Sequence, residues 1–284
     1  MLWMFLVLIY GLLKGTREIV KKKSLEKSSV MEVLFFYTLF AFLFVCVDAK
    51  NAMGIEPRML VFVALKSFII FVAWMCSFKA IKKMPLSVYG ILDLSRVLFA
   101  TLLGAVVLKE TMSNFQIIGL ILVASGLLLL KFRIGGKKTK EKEEVKPVIV
   151  CFALASCMLN AVSGLMDKIL MKDLTSSQLQ FWYMLFLVLF YLVYIIATKT
   201  PVDLKSSLKN YWIWLLAFLF VIADRALFLA NGMEGSKITI MTLIKQSGCI
   251  VTILGGKLIY KEKNIGYKLF CAMIIVAGIV VAVL

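Results

Sequence analysis

The sequence predicts an all-α membrane protein of ten transmembrane helices, folded as two inverted five-helix repeats. Three observations predict it. Hydrophobic residues make up 62% of the 284 positions, and mean hydropathy is +0.97. One soluble core cannot hide such a surplus, so lipid must solvate much of the surface. The apolar residues fall into ten runs of membrane-spanning length. Finally, the chain repeats itself. Leu86–Glu110 shifted by 152 positions places Ser95 on Ser247, Gly104 on Gly256, Lys109–Glu110 on Lys261–Glu262 and, further on, Gly126 on Gly278.

The ten runs are 2–19, 30–48, 59–80, 86–108, 115–133, 148–168, 178–198, 210–231, 238–260 and 265–284. The first is the weakest, because Lys14, Arg17 and Glu18 follow a short apolar stretch. Pro57, Pro85, Pro147 and Pro201 lie between runs or at their starts, where no helical hydrogen bond is lost. Unbroken runs of this length read as α-helices rather than barrel strands.

Residues 1–47 match 150–196 at a shift of 149, with Gly15 on Gly164 and Glu18 on Asp167. Five helices is an odd number, so the second copy enters the membrane from the opposite side. The polar, mixed-charge stretch GGKKTKEKEEVK marks the linker, giving a first repeat at 1–134, a linker at 135–147 and a second repeat at 148–284. Inverted repeats are a recurring plan for transporters, with the site near mid-membrane between the copies.

The net charge of +17 does not point to nucleic acid, because the basic residues cluster between apolar runs, where membrane topology is written. Segments after odd-numbered helices carry twenty-one Lys and Arg, against six on the other side. This expects a multi-pass protein of the plasma or inner membrane with both termini outside. No histidine is present, which removes Ser-His-Asp and Cys-His catalysis and His-ligated metals. The six cysteines lie within apolar runs without CxxC spacing and read as packing residues. There is no Walker motif. The chain therefore reads as a non-enzyme with no cofactor and no metal, and either a monomer or a homodimer fits it.

Charges inside apolar runs cost several kcal/mol unless paired, so each asks for a purpose. The deep candidates are Lys66, Asp93, Arg96, Asp224, Arg225 and Lys245, with Gln246 beside the last. Asp93 and Lys245 fall on one repeat position, about 12 Å along their helices and near the middle of a ~30 Å core. They are expected to face each other as an ion pair or to share a substrate; the sequence leaves both readings open. Arg96 is three residues after Asp93, on the same helical face. Arg225 aligns with Ala73 and Lys66 with Phe218, so neither charge is repeated. Lys14 and Asn160 lie nearer segment ends and are weaker signals.

The deep cations outnumber the deep carboxylates by two, and an anionic ligand group is a natural partner for the surplus. Trp74, Tyr89, Trp182 and Trp214 offer the alternative of an aromatic cage for a quaternary amine. If transport is coupled to protons, Asp93 or Asp224 is the candidate site. The small residues, Ser95, Ser247, Gly126 and Gly278 among them, read as close helix contacts. Gly255–Gly256 is a candidate hinge.

Leu108-Lys109-Glu110, Gln116, Gly119 and Gly126, with Glu262 and Gly278 in the second copy, resemble the drug/metabolite transporter superfamily, in particular its ten-helix EamA-type members. The second copy departs at Lys268 and Cys271, which stand at the glutamine and first glycine positions. The resemblance implies alternating access, with a central cavity lined by helices such as the third, fourth, eighth and ninth. Its familiar members have cytoplasmic termini, opposite to the charge count here. The expected activity is secondary-active transport of a small polar metabolite bearing a carboxylate or phosphate. A flippase for lipid-linked sugar or phosphate, a cation or drug exporter and a non-transporting structural protein are the alternatives.

Overall fold

A computed structural model describes residues 2–107, 113–135, 145–231, 233 and 244–283. All regular structure among the described residues is helical. The helices are α1 (Leu2–Lys27), α2 (Val30–Val45), α3 (Ala49–Ala52), α4 (Pro57–Lys83), α5 (Leu86–Asp93), α6 (Ser95–Val107) and α7 (Asn114–Gly135). They continue with α8 (Pro147–Leu170), α9 (Ser176–Thr198), α10 (Leu204–Lys209), α11 (Tyr211–Asn231), α12 (Ser247–Leu258) and α13 (Ile265–Val283), and a short 3₁₀ turn, Cys46–Asp48, links α2 to α3. Leu108–Glu110, the centre of the linker at 136–144 and the start of the ninth run at 238–243 lie outside the described residues.

Four helical stretches are long and apolar enough to cross a bilayer unaided: Val30–Ala52, Pro57–Lys83, Pro147–Asp167 and Ser176–Thr198. Shorter apolar helices accompany them.

Local sequence explains the helix starts. Ser29 and Glu32 form a reciprocal capping box on α2, and Thr175 and Gln178 form one on α9. Ser113 and Gln116 do the same for α7: Ser113 N donates to Gln116 Oε1 at 2.9 Å and Gln116 N to Ser113 Oγ at 3.2 Å. The glutamine of the resemblance is therefore a cap here. Pro57 and Pro147 open α4 and α8 at positions whose N–H would have no helical partner.

The expectation that the first span ends near residue 19 is corrected: α1 runs on to Lys27. Its charges sit at positions 14, 17, 18 and 21, which share one face of a helix, and that face is turned inward.

The fourth run is broken. α5 ends at Asp93, Leu94 N donates to Ile91 O, and Val97 N reaches back only three residues to Leu94 O at 3.2 Å. The ninth run carries the same irregularity before α12, where Cys249 N donates to Gln246 O at 2.9 Å. Leu94 and Gln246 are related by the 152-residue shift. The two breaks thus occupy one repeat position, immediately after Asp93 and Lys245.

Helix packing follows an exchange pattern. α1 packs on α11 as α4 packs on α8; α1 packs on α12 as α8 packs on α6; α2 packs on α11 as α9 packs on α4. α2 with α9 and α7 with α13 join equivalent helices, while α5, the first half of the fourth run, packs on α12, the second half of the ninth. Small residues permit the closest crossings. A Cβ on Gly248 would lie 2.7 Å from Gly11 O, one on Gly15 2.5 Å from Gly248 O, and one on Gly278 2.7 Å from Gly119 O. Gly255 and Gly256, the candidate hinge, lie against Ile19 and the Glu262 carboxylate.

Buried aromatic and aliphatic side chains, among them Tyr37, Phe78, Tyr191, Leu34 and Ile213, fill the interior. Outward faces stay apolar, as with Val61, Leu65 and Phe68 on α4 and Leu192, Val193 and Ile196 on α9. An apolar exterior of this kind is solvated by lipid.

Candidate functional site

The site is built on the charged face of α1. Lys14 Nζ lies 2.8 Å from Asp93 Oδ2, and Arg96 Nη2 donates to Asp93 Oδ1 at 2.9 Å. Asp93 sits at the last residue of the half-helix α5, where two cations close on its two oxygens. The depths agree: Lys14 is twelve residues from the start of α1 and Asp93 seven from the start of α5, about 18 Å and about 10 Å. Measured from opposite faces of a ~30 Å core, these meet at one level.

The pairing of Asp93 with Lys245 offered by the repeat is therefore corrected. Asp93 is held by Lys14 and Arg96, and Lys245 has no carboxylate within ion-pair distance among the described residues. Its Nζ instead stands 5.9 Å from the centre of the Tyr10 ring. Lys14, set aside as lying near a helix end, is the partner that matters.

One turn further along α1, Arg17 and Asp224 face each other loosely, with Nη1 3.7 Å from Oδ1. Arg17 also lies over the Phe220 ring, its Cζ 4.9 Å from the centre. Its Nη1 is buried without a hydrogen-bond acceptor. Glu18 accepts two hydrogen bonds from Lys21 Nζ, at 2.8 and 2.7 Å, and Lys21 also covers the Phe78 ring.

The remaining predicted charges are distributed around this centre. Lys66 is buried rather than snorkelling to the surface: its Nζ lies 2.9 Å from Asp167 Oδ1 and 4.1 Å above the Tyr183 ring. Arg225, read as a residue of the second half alone, reaches out of it to Asp48 Oδ2 at 2.7 Å. Asp48 also accepts from Ser177 Oγ at 2.6 Å and Asn51 Nδ2 at 2.7 Å. Arg225 thus ties α11 to the turn after α2 and to α9.

A narrow cleft, with room for about one water molecule, opens where α1, α5 and α12 meet. Charged and polar groups line it: Lys14, Glu18, Asp93, Gln246 and Thr252. Of the sequence candidates, Asp93 and Gln246 are brought into this cleft, with Lys245 adjacent along the chain. Lys66 and Arg225 are not in its lining. Counted with the carboxylates that pair with them, the central cations Lys14, Arg17, Lys21, Lys66, Arg96, Arg225 and Lys245 still exceed Glu18, Asp48, Asp93, Asp167 and Asp224 by two. The four rings offered as a cage are engaged separately. Trp182 donates to Ala52 O, Trp214 stacks on Phe40, Tyr89 bonds Ser77 and Trp74 lies against Tyr37 and Phe220.

Lipid-facing helices around a buried, mixed-charge centre define an integral, multi-pass membrane protein whose polar groups gather away from lipid. Residues 1–132 match the EamA-like transporter family, consistent with the EamA-type resemblance carried by Gln116, Gly119 and Gly126. A crystal structure of a protein 16% identical in sequence superposes with a TM-score of 0.62, over 97% of this chain and 98% of the other, which establishes a shared fold. None of the curated proteins matches the chain.

Proposed function

We propose that this chain is a secondary-active transporter of a small polar metabolite bearing a carboxylate or phosphate. It works by alternating access of two inverted five-helix repeats, 1–134 and 148–284, joined by the linker at 135–147. The observation that carries the reading is that the inward-facing cations Lys14, Arg17, Lys21, Lys66, Arg96, Arg225 and Lys245 exceed the carboxylates that face them by two. Buried charge of one sign in excess is costly unless a ligand of the other sign neutralises it.

The repeat is supported by two features: the exchange pattern of helix contacts, and the breaks at Leu94 and Gln246. Discontinuous helices at equivalent positions give two half-helix ends around one centre, the arrangement by which such transporters hold substrate. We place the chain in the plasma or inner membrane with its termini outside. Arg17 and Lys21 leave the loop tally because they are buried in α1, yet the bias of Lys and Arg between the two sides keeps its sign.

The test is ligand stabilisation of the purified protein against amino acids, organic acids, sugar phosphates and quaternary amines, followed by uptake into proteoliposomes. Stabilisation by an anionic or zwitterionic compound, abolished in Lys14→Ala and Lys245→Ala, is expected. Stabilisation by amines alone would sink the reading and favour a cation exporter.

A further inference from the structure

Two carboxylates face α1 near the middle of the molecule, and they are held very differently. Asp93 has a cation on each oxygen, at 2.8 and 2.9 Å. Asp224 has one, Arg17, at 3.7 Å, beyond hydrogen-bond length. The guanidinium is equally underused. It carries five N–H donors, yet among the described residues its partners are this long ion pair and the face of Phe220. Neither side chain is sealed: Arg17 keeps 14% of its side-chain exposure and Asp224 18%.

A buried arginine fork with open donors is a receptor for a planar, bidentate anion. Its present partner is a carboxylate too distant to use that fork. From this contrast we propose that Arg17 is the anchor for the anionic group of the substrate, and that Asp224 guards the anchor until it takes up a proton. The inference rests on the transport reading above and adds the residue that binds the anion and the way the proton is tied to it.

The exchange balances in charge. In the empty site Arg17 is positive and Asp224 negative. A proton from water on the entry side converts the Asp224 carboxylate to a neutral acid, and the substrate carboxylate takes its place on Arg17. The centre has the same net charge as before, so it can reorient across the membrane without a new buried charge. On the far side the proton and the anion both leave and the Arg17–Asp224 pair re-forms. One proton crosses with each monoanion. The other groups acting on Asp224 are Tyr37 from α2, Lys66 from α4, Asp167 from α8, Tyr183 from α9 and Lys245 preceding α12. Of these, Lys66 is committed to Asp167, and no ion pair joins Lys245 to Asp224 among the described residues, so Arg17, at 3.7 Å, is the cation that the proton releases.

A first experiment needs no substrate. Infrared difference spectra of the reconstituted protein, from about pH 8 down to about pH 3, below the ordinary carboxyl range, should show a protonated-carboxyl band that Asp224→Asn lacks and Asp93→Asn keeps. A band unchanged in Asp224→Asn overturns the proposal, as does the absence of any such band from the wild type.

The second experiment uses lactate and succinate as probes in proteoliposomes with an internal pH dye. Wild-type influx should carry protons inward and accumulate the probe when the outside is acid. Asp224→Asn, whose neutral amide mimics the protonated acid, should lose both proton uptake with the probe and its accumulation. Arg17→Gln should weaken probe binding by on the order of tenfold or more, the worth of a charge-assisted hydrogen bond. Asp224→Glu should restore coupling. Probe influx without proton movement overturns the proposal while leaving the transport reading intact. No flux of any anion in wild type, with amines carried instead, overturns both.

Discussion

Asp167→Ala tests whether Lys66 is held by structure or kept for substrate. Lys66 retains 5% of its side-chain exposure, and its ammonium lies 2.9 Å from Asp167. At an effective dielectric constant of ~20 the attraction at that distance is about 6 kcal/mol, set against several kcal/mol for removing the ammonium from water. The pair is therefore near balance, and deleting the carboxylate leaves the desolvation of Lys66 uncompensated. Breaking a buried pair typically costs about 3–5 kcal/mol. Asp167 is 38% exposed and so contributes less than a sealed partner, and Tyr183 still cushions the ammonium. The expected loss is about 2–4 kcal/mol. Lys66→Met strands only a carboxylate that water can reach and should cost about 1 kcal/mol or less. In the double variant the penalty of Asp167→Ala should largely vanish, a coupling of about 2 kcal/mol. Equilibrium unfolding in mixed detergent micelles reads all four proteins. Asp167→Ala as stable as wild type, or a double variant as unstable as Asp167→Ala, would refute the reasoning.

Three further outcomes are expected. Glu262, buried at the end of the ninth run, accepts from Leu86 N at 2.5 Å, from Ser87 N at 3.2 Å, from the Ser87 hydroxyl and from Lys268 Nζ. It thus caps α5 from the other half of the chain, and Glu262→Ala should lose at least the ~1–2 kcal/mol of a helix cap, read by thermal unfolding. Gly248→Leu drives a side chain into the backbone of α1 at Gly11 and Gly15, so it should abolish recovery of monodisperse protein, whereas Gly266→Ala, with open space around it, should not. Arg225→Ala frees Asp48 from α11; increased labelling of a cysteine placed at Ser177 by an impermeant thiol reagent would reveal the loosening, and labelling equal to that in the Arg225 background would exclude it.

Much of this architecture was legible in the residues. Apolar runs and prolines mark the helices, whereas the break at Leu94 was not legible, since neither Leu94 nor Gln246 is a helix breaker. The partner of Asp93 was not legible, because the short apolar stretch Leu2–Leu13 makes Lys14 look terminal. The signal it leaves is the spacing 14, 17, 18, 21, a single helical face, which charges following a short apolar run disguise as a flank. Asp167 could have been found as well: it aligns with Glu18, so an acidic residue stands at one position of both copies. The bond from Arg225 to Asp48 lay beyond reach, since the repeat relates equivalent positions and these two are not equivalent. Lys245 stands beside the cleft as a cation with no carboxylate in ion-pair distance among the described residues.

The exchange pattern of helix contacts also bears on what one continuous chain makes possible. Its most extensive helix contacts, among the described residues, join a helix before the linker to one after it. Either part alone would leave many apolar faces uncovered. Because both parts belong to one polypeptide, they need not match residue for residue. Lys14 could stand where the other copy keeps Ser163, and Arg225 where the first keeps Ala73. An assembly of identical subunits must place every charge twice. A fused one can place it once, and so gives its ligand a left and a right.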